Sequence, residues 1–554
     1  MSSPSWHTRR LSGGLATTAT LLALAGAAWS QTAQVATPPG WYAGDSHVHV
    51  QQCDTPINLT LPEVEVQMEA RHLDVAAVQL WGSPWTPWDY FQNHYAPWVT
   101  GTEEPLSSPV HRLQYSLEIS GFEASQFGHV QILQAQDANF PIFAAYPGPI
   151  LEYYDDALRG YAHVSWFEGY GPVPFYAGTN GAYMAAVDAA LGDIDFVETT
   201  RVEPEPWMGD LTWRGLYYKL LNSGLRLSLV AGSDNSCFVT EIGDQRTFAQ
   251  LGNEPLSYAA WCQAIAAGRT TVSSGEHRFL DLEVDGTGIG GQISLAQPGV
   301  LNVEVTLSVT PGQSDSGWLH LLRDGRDVAR APYTLPAGGT TTLSVSLPMS
   351  ESGWLSARCL PGAHTGAIYV YVQDRPIVRA EDATYWMGYC DEFAAHLGDY
   401  DVPEAESQIL QRIAMARAHF AALAQCDQPL PDATAGYGLS SPACEGPITI
   451  GLTGAPGEPF ALTCVNAPPG ASGLLVMGML PDTSDTTIQG CTPLVACNAP
   501  YIVLPATADD AGFALVPNPL PPNKPFRAQF VWLNPPSCDL GGRLCSSNGL
   551  AVGR

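Results

Sequence analysis

The chain has 554 residues, of which 54 are Asp or Glu and 24 are Lys or Arg, giving a formal net charge of −30. Because attraction to nucleic acid and to anionic membrane surfaces depends on positive charge, this balance argues against both as partners. Charged residues make up 14% of the chain and hydrophobic residues 45%, a composition typical of packed globular proteins. At roughly 150 residues per domain, the length predicts about three domains.

Residues 1–30 have the pattern of an export signal. Arg9 and Arg10 precede a weakly apolar stretch at 15–28, and the small residue Ser30 follows it at a plausible cleavage point. The stretch is shorter than the ~18 to 20 apolar residues that a membrane-spanning helix needs, and no other run approaches that length. We therefore expect an exported protein, periplasmic or extracellular, with no transmembrane segment. The paired arginines leave both the general secretory route and the twin-arginine route open.

Twelve cysteines, an even number, are expected to form disulfides in an exported chain. Seven of them lie in the last quarter of the sequence, at positions 426, 444, 464, 491, 497, 538 and 545. No close pair is followed by another at zinc-finger spacing, which favours disulfides over thiolate metal sites. The pairing cannot be deduced from the spacing.

The sequence between the signal and residue 380 divides into two regions of different pattern. Residues 41–280 alternate short β-rich runs, such as 74–80, with helical segments such as 182–191. This alternation predicts parallel strands joined by crossover helices, which is an α/β fold. Residues 281–380 instead alternate apolar and polar side chains, most regularly at 301–309, which predicts an antiparallel β-sandwich.

Three further regions complete the predicted multidomain organisation. Residues 381–426 are predicted to be helical, because apolar residues recur at near-helical spacing between 404 and 425. Residues 427–445 are a predicted linker, and residues 446–554 a Cys-rich, all-β C-terminal domain with Gly and Pro at its turns. We expect this last domain to serve attachment or stability.

A pair of histidines gives the first indication of a metal site. Seven of the 13 histidines lie between residues 41 and 170. His47 and His49 are two residues apart, so in an extended strand both imidazoles point to the same face, an arrangement that suits one metal ion. A His-x-His pair also occurs by chance, so the interpretation depends on further ligands.

Further candidate ligands lie at the ends of predicted strands. Glu118, His129 and His163 are at strand edges, and Asp234 follows the apolar run at 229–233. The catalytic residues of barrel enzymes collect at strand ends. Together with the His-x-His pair, these side chains form a ligand set for two divalent ions of the Zn, Mn or Fe type, with one carboxylate able to bridge them.

The segment Trp-Tyr-Ala-Gly-Asp-Ser-His-Val-His at 41–49 resembles the opening motif of the PHP (polymerase and histidinol phosphatase) metallohydrolases. Other segments are similar to the carbaryl-hydrolase (CehA/McbA) branch of that family: Gly-Tyr-Ala-His ending at 163, Asp-Phe-Val-Glu at 198, Ala-Gly-Ser-Asp at 234 and Gly-Arg-Thr-Thr-Val at 272. The resemblance runs from about residue 41 to residue 372. It implies a distorted (β/α) barrel of PHP type, followed by the β-sandwich, and a metal-dependent ester hydrolase.

The resemblance also implies how the ligands are shared between two metal ions. The implied ligands are His47, His49, Asp234 and a bridging Glu118 for the first ion, and Glu118, His129 and His163 for the second.

Many PHP proteins hold a third metal ion, and the resemblance implies that this chain does not. At the three positions concerned the sequence has Asp54, but also Trp81 and Ser236, which are not metal ligands. A dinuclear centre is therefore expected. Cys53 and Cys237 flank two of these positions; a disulfide between them is one interpretation, and pairing elsewhere or free thiols is the other.

The amidohydrolase barrel is a rival interpretation, because it also opens with His-x-His and often bridges its metals with a carbamylated lysine. The chain has only two lysines, Lys219 within a predicted helix and Lys524 in a Pro-rich loop. Neither is expected to end a central strand, so Glu118 remains the expected bridge.

Other residues near these motifs have two interpretations each. Arg246 is expected to neutralise a substrate anion beside the metals, and the alternative is an ordinary surface arginine. Glu198 either supports a ligand or is a solvated loop acid. An aromatic pocket wall or plain core packing is expected for Trp81, Trp85 and Trp88. Surface or core positions, rather than metal ligation, are expected for His72, His94 and His111.

These residues predict a secreted hydrolase in which two divalent ions, held in part by Glu118 and Asp234, activate a water for attack on an ester-type bond. No Gly-x-Ser-x-Gly motif supports a serine hydrolase. The resemblance allows a phosphoester or a carbamate or carboxyl ester of a small molecule as substrate. The alternative is a non-catalytic secreted scaffold, in which a metal-stabilised barrel supports β modules that bind surfaces or glycans. The sequence does not predict the metal, the particular substrate or the oligomeric state.

Overall fold

The computed structural model describes residues 37–50, 59–82, 88–120, 122, 127–141, 144–164, 182–203, 213–235, 240–360, 362–400, 402–426, 435–437, 448–453, 461–465, 467–478, 501–509, 513–519, 526–533, 544–547 and 549–552. The expected export signal lies outside the described residues, as do Cys53, Asp54, Trp85, Ser236 and Cys237. Within the described part of the chain, no helix combines the length and the apolar character needed to cross a membrane.

The first part of the chain, to residue 274, forms a mixed sheet with helices packed against it. Its strands are β1 Trp41–His49, β2 Val75–Gly82, β3 Arg112–Ile119, β4 Val130–Leu133, β5 Leu158–Tyr161, β6 Phe196–Thr199, β7 Ser228–Ala231, β8 Gln245–Gln250 and β9 Thr270–Ser274. Its helices are α1 Leu61–Ala70, α2 Trp88–His94, α3 Gly148–Tyr153, α4 Ala185–Leu191, α5 Trp213–Asn222 and α6 Tyr258–Ala266.

The strand directions confirm the predicted α/β alternation in two places. Strands β1, β2 and β3 pair in parallel, and so do β5, β6 and β7. Strand β4 is antiparallel to both of its neighbours, and β8 is antiparallel to β1. The residues of β2 from Val75 to Leu80 are all buried, as expected for a strand that is covered on both faces of a sheet.

Hydrogen bonds of threonine hydroxyl groups connect β7 to β8 and β9. Among the described residues, no backbone strand pairing joins β7 to either strand. The Thr247 hydroxyl donates to the Ala231 carbonyl (3.0 Å) and accepts from the Ala231 N–H (2.8 Å). The Thr270 hydroxyl donates to the Leu229 carbonyl (2.8 Å). Among the described strands the sheet is therefore open, with its last strand held by side chains, and a closed barrel is not shown.

The region after β9 is mostly antiparallel β structure, as its alternating sequence predicted, but Gln292–Leu295 and Ile368–Val372 pair in parallel. Strand β13 buries every second residue from Leu301 to Val309, with polar residues between them. Four strands form a separate sheet in the order β11-β10-β13-β16, and β18 pairs with β9, so the other strands extend the first sheet. The strands are β10 Arg278–Val284, β11 Thr287–Gly288, β12 Gln292–Leu295, β13 Gly299–Val309, β14 Asp315–Arg323, β15 Arg326–Leu335, β16 Thr340–Met349, β17 Gly353–Leu360, β18 Ala363–Thr365 and β19 Ile368–Val372.

The predicted helical segment contains two described helices, α7 Ala380–His396 and α8 Glu406–Cys426, which pack against each other. Helix α8 also packs on α4, where Arg412 forms an ion pair with the buried Asp188 (2.8 Å) and another with Asp193. Apolar residues of both helices belong to the same continuous core as the first sheet and the sheet of β10, β11, β13 and β16.

The C-terminal region is all-β, as predicted, and has its own core, which includes Leu475, Phe530 and Trp532. Two sheets are formed, β20-β28-β26-β23-β24 with β27 beside β26, and β21-β22-β25. The strands are β20 Ala435–Tyr437, β21 Thr449–Thr453, β22 Ala461–Val465, β23 Ser472–Gly478, β24 Tyr501–Thr507, β25 Ala514–Pro517, β26 Phe526–Leu533, β27 Leu544–Ser546 and β28 Gly549–Val552.

The disulfides expected from the cysteine count are not formed by the cysteines whose side chains the structure describes. These five cysteines are present as buried thiols: Cys262, Cys359, Cys390, Cys464 and Cys545.

The substitution Thr247→Val tests whether the threonine hydroxyl holds β7 in place. Valine keeps the shape of the side chain but leaves the buried N–H and carbonyl of Ala231 without this partner, which typically costs about 1–3 kcal/mol. We expect a lower midpoint of thermal unfolding, measured by calorimetry, whereas Thr247→Ser keeps the hydroxyl and should retain most of the stability. Equal midpoints for the valine variant and the parent would contradict this role.

Candidate metal centre

Strand β1 places two imidazoles side by side, as the His-x-His spacing predicted. His47 and His49 are both completely buried, and their Nε2 atoms lie 3.0 Å apart. The two Nε2 atoms are therefore close enough to ligate one cation.

The third member of this group, Asp234, follows the end of β7. Its Oδ1 lies 3.2 Å from His49 Nε2 and 3.7 Å from His47 Nε2. The backbone of Asp234 has a positive φ of 48°, a conformation that costs energy for a residue with a side chain. The Asp234 N–H donates to the His47 carbonyl (2.9 Å), which fixes this conformation against β1.

A buried carboxylate on β1, that of Asp45, holds the loop after β7 in register with the histidines. Asp45 accepts hydrogen bonds from the backbone N–H groups of His47 (3.0 Å), Ser233 (2.9 Å) and Gly243 (2.8 Å). Burial raises the pKa of Asp45 to about 6, although these donors lower it. The contacts join three separate chain segments at one side chain.

Glu118, near the end of β3, lies between two groups of histidines. Its Oε2 is 3.4 Å from His47 Nε2 and 3.2 Å from His49 Nε2. Its Oε1 is 2.7 Å from His129 Nδ1 and 3.3 Å from His163 Nε2. Each carboxylate oxygen therefore faces one pair of histidines, which is the geometry of a bridging carboxylate.

The six predicted ligands thus come together as two adjoining triads. Within each triad the ligand atoms all lie within 4.8 Å of one another. Two nitrogen ligands about 2.1 Å from a tetrahedral zinc ion lie about 3.4 Å apart, so the separations around His47 and His49 fit a divalent cation. The nitrogen and oxygen donors, without thiolates, suit Zn, Mn or Fe. The triads are His47, His49 and Asp234, and Glu118, His129 and His163.

The electrostatic field of the cluster favours a cation. Burial lowers the pKa of His47, but Glu198, Asp234 and Glu118 outweigh it, so that this pKa lies well above its usual value. Burial likewise lowers the pKa of His49, but Asp234 and Glu118 bring it to about 9. Imidazoles that hold protons this firmly lie in a strongly negative potential, and a divalent ion would occupy the same potential.

The pKa values of the carboxylates agree with this field. Burial raises the pKa of Glu118, yet His47, His129 and the hydrogen bond from His163 hold it well below its usual value. Burial also raises the pKa of Asp234, which His47 and His49 lower below the usual value. Both carboxylates are therefore ionised and able to ligate at neutral pH.

Glu198, at the end of β6, hydrogen-bonds to the first triad through His47. Its Oε2 lies 2.8 Å from His47 Nδ1, and its Oε1 accepts from the Ser46 hydroxyl (2.6 Å) and from Gln131 Nε2 (3.2 Å). With Nδ1 of His47 donating to this carboxylate, Nε2 is left as the acceptor that a metal requires. Glu198 is completely buried and is not a solvated loop acid.

Gly232 allows β1 and β6 to approach each other at this point. A Cβ atom on Gly232 would lie 2.5 Å from His47 Cβ and 2.6 Å from Glu198 Oε1. Neither neighbour can move without disturbing the hydrogen bond between them. The position therefore requires glycine for steric reasons.

Arg246 is buried but directed to backbone carbonyl groups. Its Nε and one terminal nitrogen donate to the Gly243 carbonyl (3.1 and 2.9 Å), and the other donates to the Arg71 carbonyl (3.1 Å). Burial lowers the pKa of Arg246 to about 10, although Glu276 and Asp45 raise it. These contacts stabilise the loop before β8 and lend no support to the expected neutralisation of a substrate anion.

The remaining residues considered in the sequence lie around the triads or apart from them. Trp81 on β2 is paired in register with Glu118, and its indole N–H donates to the Ser120 hydroxyl (2.5 Å). The side chains of Trp85 and Trp88 lie outside the described residues. The described metal-binding groups do not include His72, His94 and His111.

Sequence reasoning missed several polar residues that hold the ligands. The Asn235 side-chain carbonyl accepts from the His49 N–H (2.8 Å), and the amides of Gln79 and Gln131 both donate to the Ser46 carbonyl (2.8 and 2.7 Å). Asn235 directly follows the predicted ligand Asp234, which was an available signal. The two glutamines lie within apolar strands, where a polar residue on a buried face is itself the signal.

Comparison with known proteins does not identify a family. No protein-family model matches the chain, and no curated protein matches it. Among solved structures, the chain is similar to a transglutaminase of red sea bream at 12% identity, over 53% of this chain and 36% of that one, with a TM-score of 0.12. The chain thus spans about a third of that protein, and a likeness with so low a TM-score carries no argument.

The substitution Gly232→Ala tests the close approach of β1 and β6. The added Cβ should displace His47 or Glu198, and we expect a clear loss of bound metal per chain, measured by plasma mass spectrometry after equilibration with zinc. Gly388→Ala in α7 is the matched control, because nothing lies within 4 Å of a Cβ at that position. Full metal content in the Gly232→Ala variant would show that the packing is looser than these distances indicate.

The substitution Glu198→Gln tests the support of His47. Removing the charge while keeping the shape should weaken metal binding roughly 10- to 100-fold, as for other residues that hydrogen-bond to a metal ligand. Affinity is measured by competition with a chelator of known strength. Glu152→Gln serves as the control, because this exposed residue lies outside the triads and pairs with Arg412. Unchanged affinity would mean that Glu198 does not orient His47.

Proposed function

We propose that the protein is an exported metal-dependent hydrolase of the PHP type, similar to the carbaryl-hydrolase branch, that uses two divalent ions to cleave ester-type bonds. The observation that carries the proposal is the position of Glu118, with one carboxylate oxygen 2.7 Å from His129 Nδ1 and the other 3.2 Å from His49 Nε2. A single buried carboxylate shared by two groups of histidines is expected of a dinuclear centre and is unusual for a purely structural single-ion site.

The buried carboxylates of the site have different roles in this proposal. Two bound ions would polarise the oxygen of an ester bond and lower the pKa of a water molecule that attacks it. Glu118 and Asp234 provide the negative charge that balances the ions. Glu198 keeps His47 in the tautomer with a free Nε2, and Asp45 holds the loop that carries Asp234. The burial of all four carboxylates keeps bulk water from screening these interactions.

The net charge of the chain favours some classes of ester over others as candidate substrates. A chain with a net charge of −30 repels a highly anionic phosphate at long range. We therefore place neutral or singly charged carbamate and carboxyl esters of small molecules before highly charged phosphoesters as candidate substrates. Local metal charge would still allow a phosphodiester, so both ester classes belong in the first assay.

The test combines metal content with hydrolysis of an aryl carbamate and of a phosphodiester by the same samples. We expect about two ions per chain in the parent. Asp234→Asn and His129→Ala should each weaken one site, whereas Glu118→Gln should weaken both, because the two carboxylate oxygens of Glu118 lie next to histidines of different triads. Activity should fall by at least 10²-fold in all three variants, as catalysis by the metals requires both.

The control for these variants is His111→Ala, which replaces a histidine outside the triads and should change neither metal content nor rate. A parent chain that binds no metal in metal-replete medium would refute the proposal. Two bound ions without turnover of either ester class would favour a metal-stabilised scaffold whose β modules bind surfaces or glycans.

A further inference from the structure

Tyr161, the last residue of β5, lies beside both histidines of the second triad. It is paired in register with Val130, the residue after His129, and the Ala162 N–H donates to the His129 carbonyl (2.9 Å). Two residues further along the chain is His163, whose backbone has a positive φ of 34°. Such a conformation persists only where the surrounding structure holds it.

The ring of Tyr161 also lies directly against the backbone that precedes His129. A Cβ atom on Gly128 would lie 2.7 Å from two carbon atoms of this ring. The Met184 N–H, at the start of α4, donates to the Phe127 carbonyl (3.2 Å). The segment that carries His129 therefore contacts both Tyr161 and the start of α4.

A buried carboxylate of α4 fixes the hydroxyl of Tyr161. This hydroxyl donates to Asp188 Oδ2 (2.5 Å), and both residues are completely buried. Burial and the charge of Asp188 raise the pKa of Tyr161 well above its usual value, so the phenol keeps its proton and remains the donor. The ring can therefore shift only by breaking a buried hydrogen bond, which costs free energy.

Arg412 of α8 balances the charge of this carboxylate. One of its terminal nitrogens donates to Asp188 Oδ1 (2.8 Å), the oxygen that Tyr161 does not use, and also pairs with Asp193. Burial raises the pKa of Asp188, and Arg412 and Tyr161 both counteract that rise. A continuous chain of polar contacts therefore runs from α8 through α4 to β5.

The first triad is supported by other parts of the chain. The His47 N–H donates to Asp45 (3.0 Å), and the His49 N–H donates to Asn235 (2.8 Å). Glu198 fixes the ring of His47 (2.8 Å). These supports come from β1, from β6 and from the segment after β7, so the contacts that begin at α8 act directly on the second triad and not on the first.

We propose that Tyr161 and Arg412 are positioning residues for the second metal ion: through Asp188, helix α8 holds the backbone that carries His129 and His163. Both act through these histidines, since neither belongs to a triad. The inference rests on the proposed function, because it concerns the second ion of the dinuclear centre. Helix α8 is then part of the support of the metal centre and not only a connection to the C-terminal region.

The first experiment measures zinc affinity, by competition with a chelator of known strength, in full-length chains that retain one intact triad each. Asp234→Asn weakens the first site and keeps the second, and His129→Ala does the reverse. Added to Asp234→Asn, Tyr161→Phe should weaken binding of the remaining ion roughly 3- to 10-fold, less than the loss of a residue that bonds directly to a ligand. Added to His129→Ala, it should leave the affinity unchanged. Tyr217→Phe is the matched control, because this completely buried hydroxyl donates to the Leu227 carbonyl (3.2 Å).

The substitution Arg412→Gln tests the other end of the same chain of contacts. It should weaken the second ion at least as much as Tyr161→Phe does, and Arg412→Lys, which keeps a charge beside Asp188, should restore part of the affinity. Arg417→Gln is the matched control, because this arginine lies on the same helix and pairs with the exposed Asp391 (2.6 Å). Near-ultraviolet circular dichroism identifies variants that have kept their fold, and Tyr161→Phe provides a reading that leaves the ion pair in place.

A measurement without metal separates this inference from the proposed function. In the chain stripped of metal and labelled in its histidine rings, the nuclear magnetic resonance signals of His129 and His163 should shift in Tyr161→Phe more than that of His47. A parent chain that binds no ion would refute the proposed function, and these signals would still decide the positioning. Unchanged affinity on adding Tyr161→Phe to Asp234→Asn, equal losses in both single-triad chains, or unchanged signals of His129 and His163 would overturn the inference.

Discussion

The buried carboxylates at the centre of the first sheet set the constraint on which the rest of the structure depends. Glu118, Glu198 and Asp234 are at most 3% exposed, and isolated ions in such positions would cost several kcal/mol each. Four imidazoles surround them, so the contacts that lower this cost are complete only when all seven side chains are in place. Since they come from strands and strand ends distributed between residues 41 and 235, the site is complete only when most of the sheet has formed.

The backbone is held to this arrangement by polar side chains rather than by strand pairing alone. Asp45 joins β1, the loop after β7 and the loop before β8, while the hydroxyls of Thr247 and Thr270 fasten β7. Each is a short side chain with few rotamers, so little entropy is lost when it is fixed. A site built on such contacts is already organised before a cation arrives, which favours tight binding.

Much of the site could be predicted from the sequence, because its signals are local. The His-x-His spacing indicated two ligands on one face, and the apolar run before Asp234 indicated a strand end. What could not be predicted depends on contacts between distant segments: Glu198 reaches His47 across 151 positions of sequence, and Arg246 is directed to the carbonyls of Gly243 and Arg71. The periodicity of apolar residues and the composition indicate which face of a strand is buried. They do not indicate which distant residue a buried side chain contacts. For the same reason, the contact of α8 with α4 could not be predicted from the sequence.

The contact of α8 with α4 makes α8 part of the same structural unit as the first sheet. Arg412 of α8 neutralises Asp188 of α4, which is completely buried. A gene segment ending after β19 would leave that carboxylate without this cation and uncover the apolar residues of α4. A segment that ended before α8 would therefore lack part of the core that the first sheet shares with both helices, whereas the C-terminal β region has a core of its own.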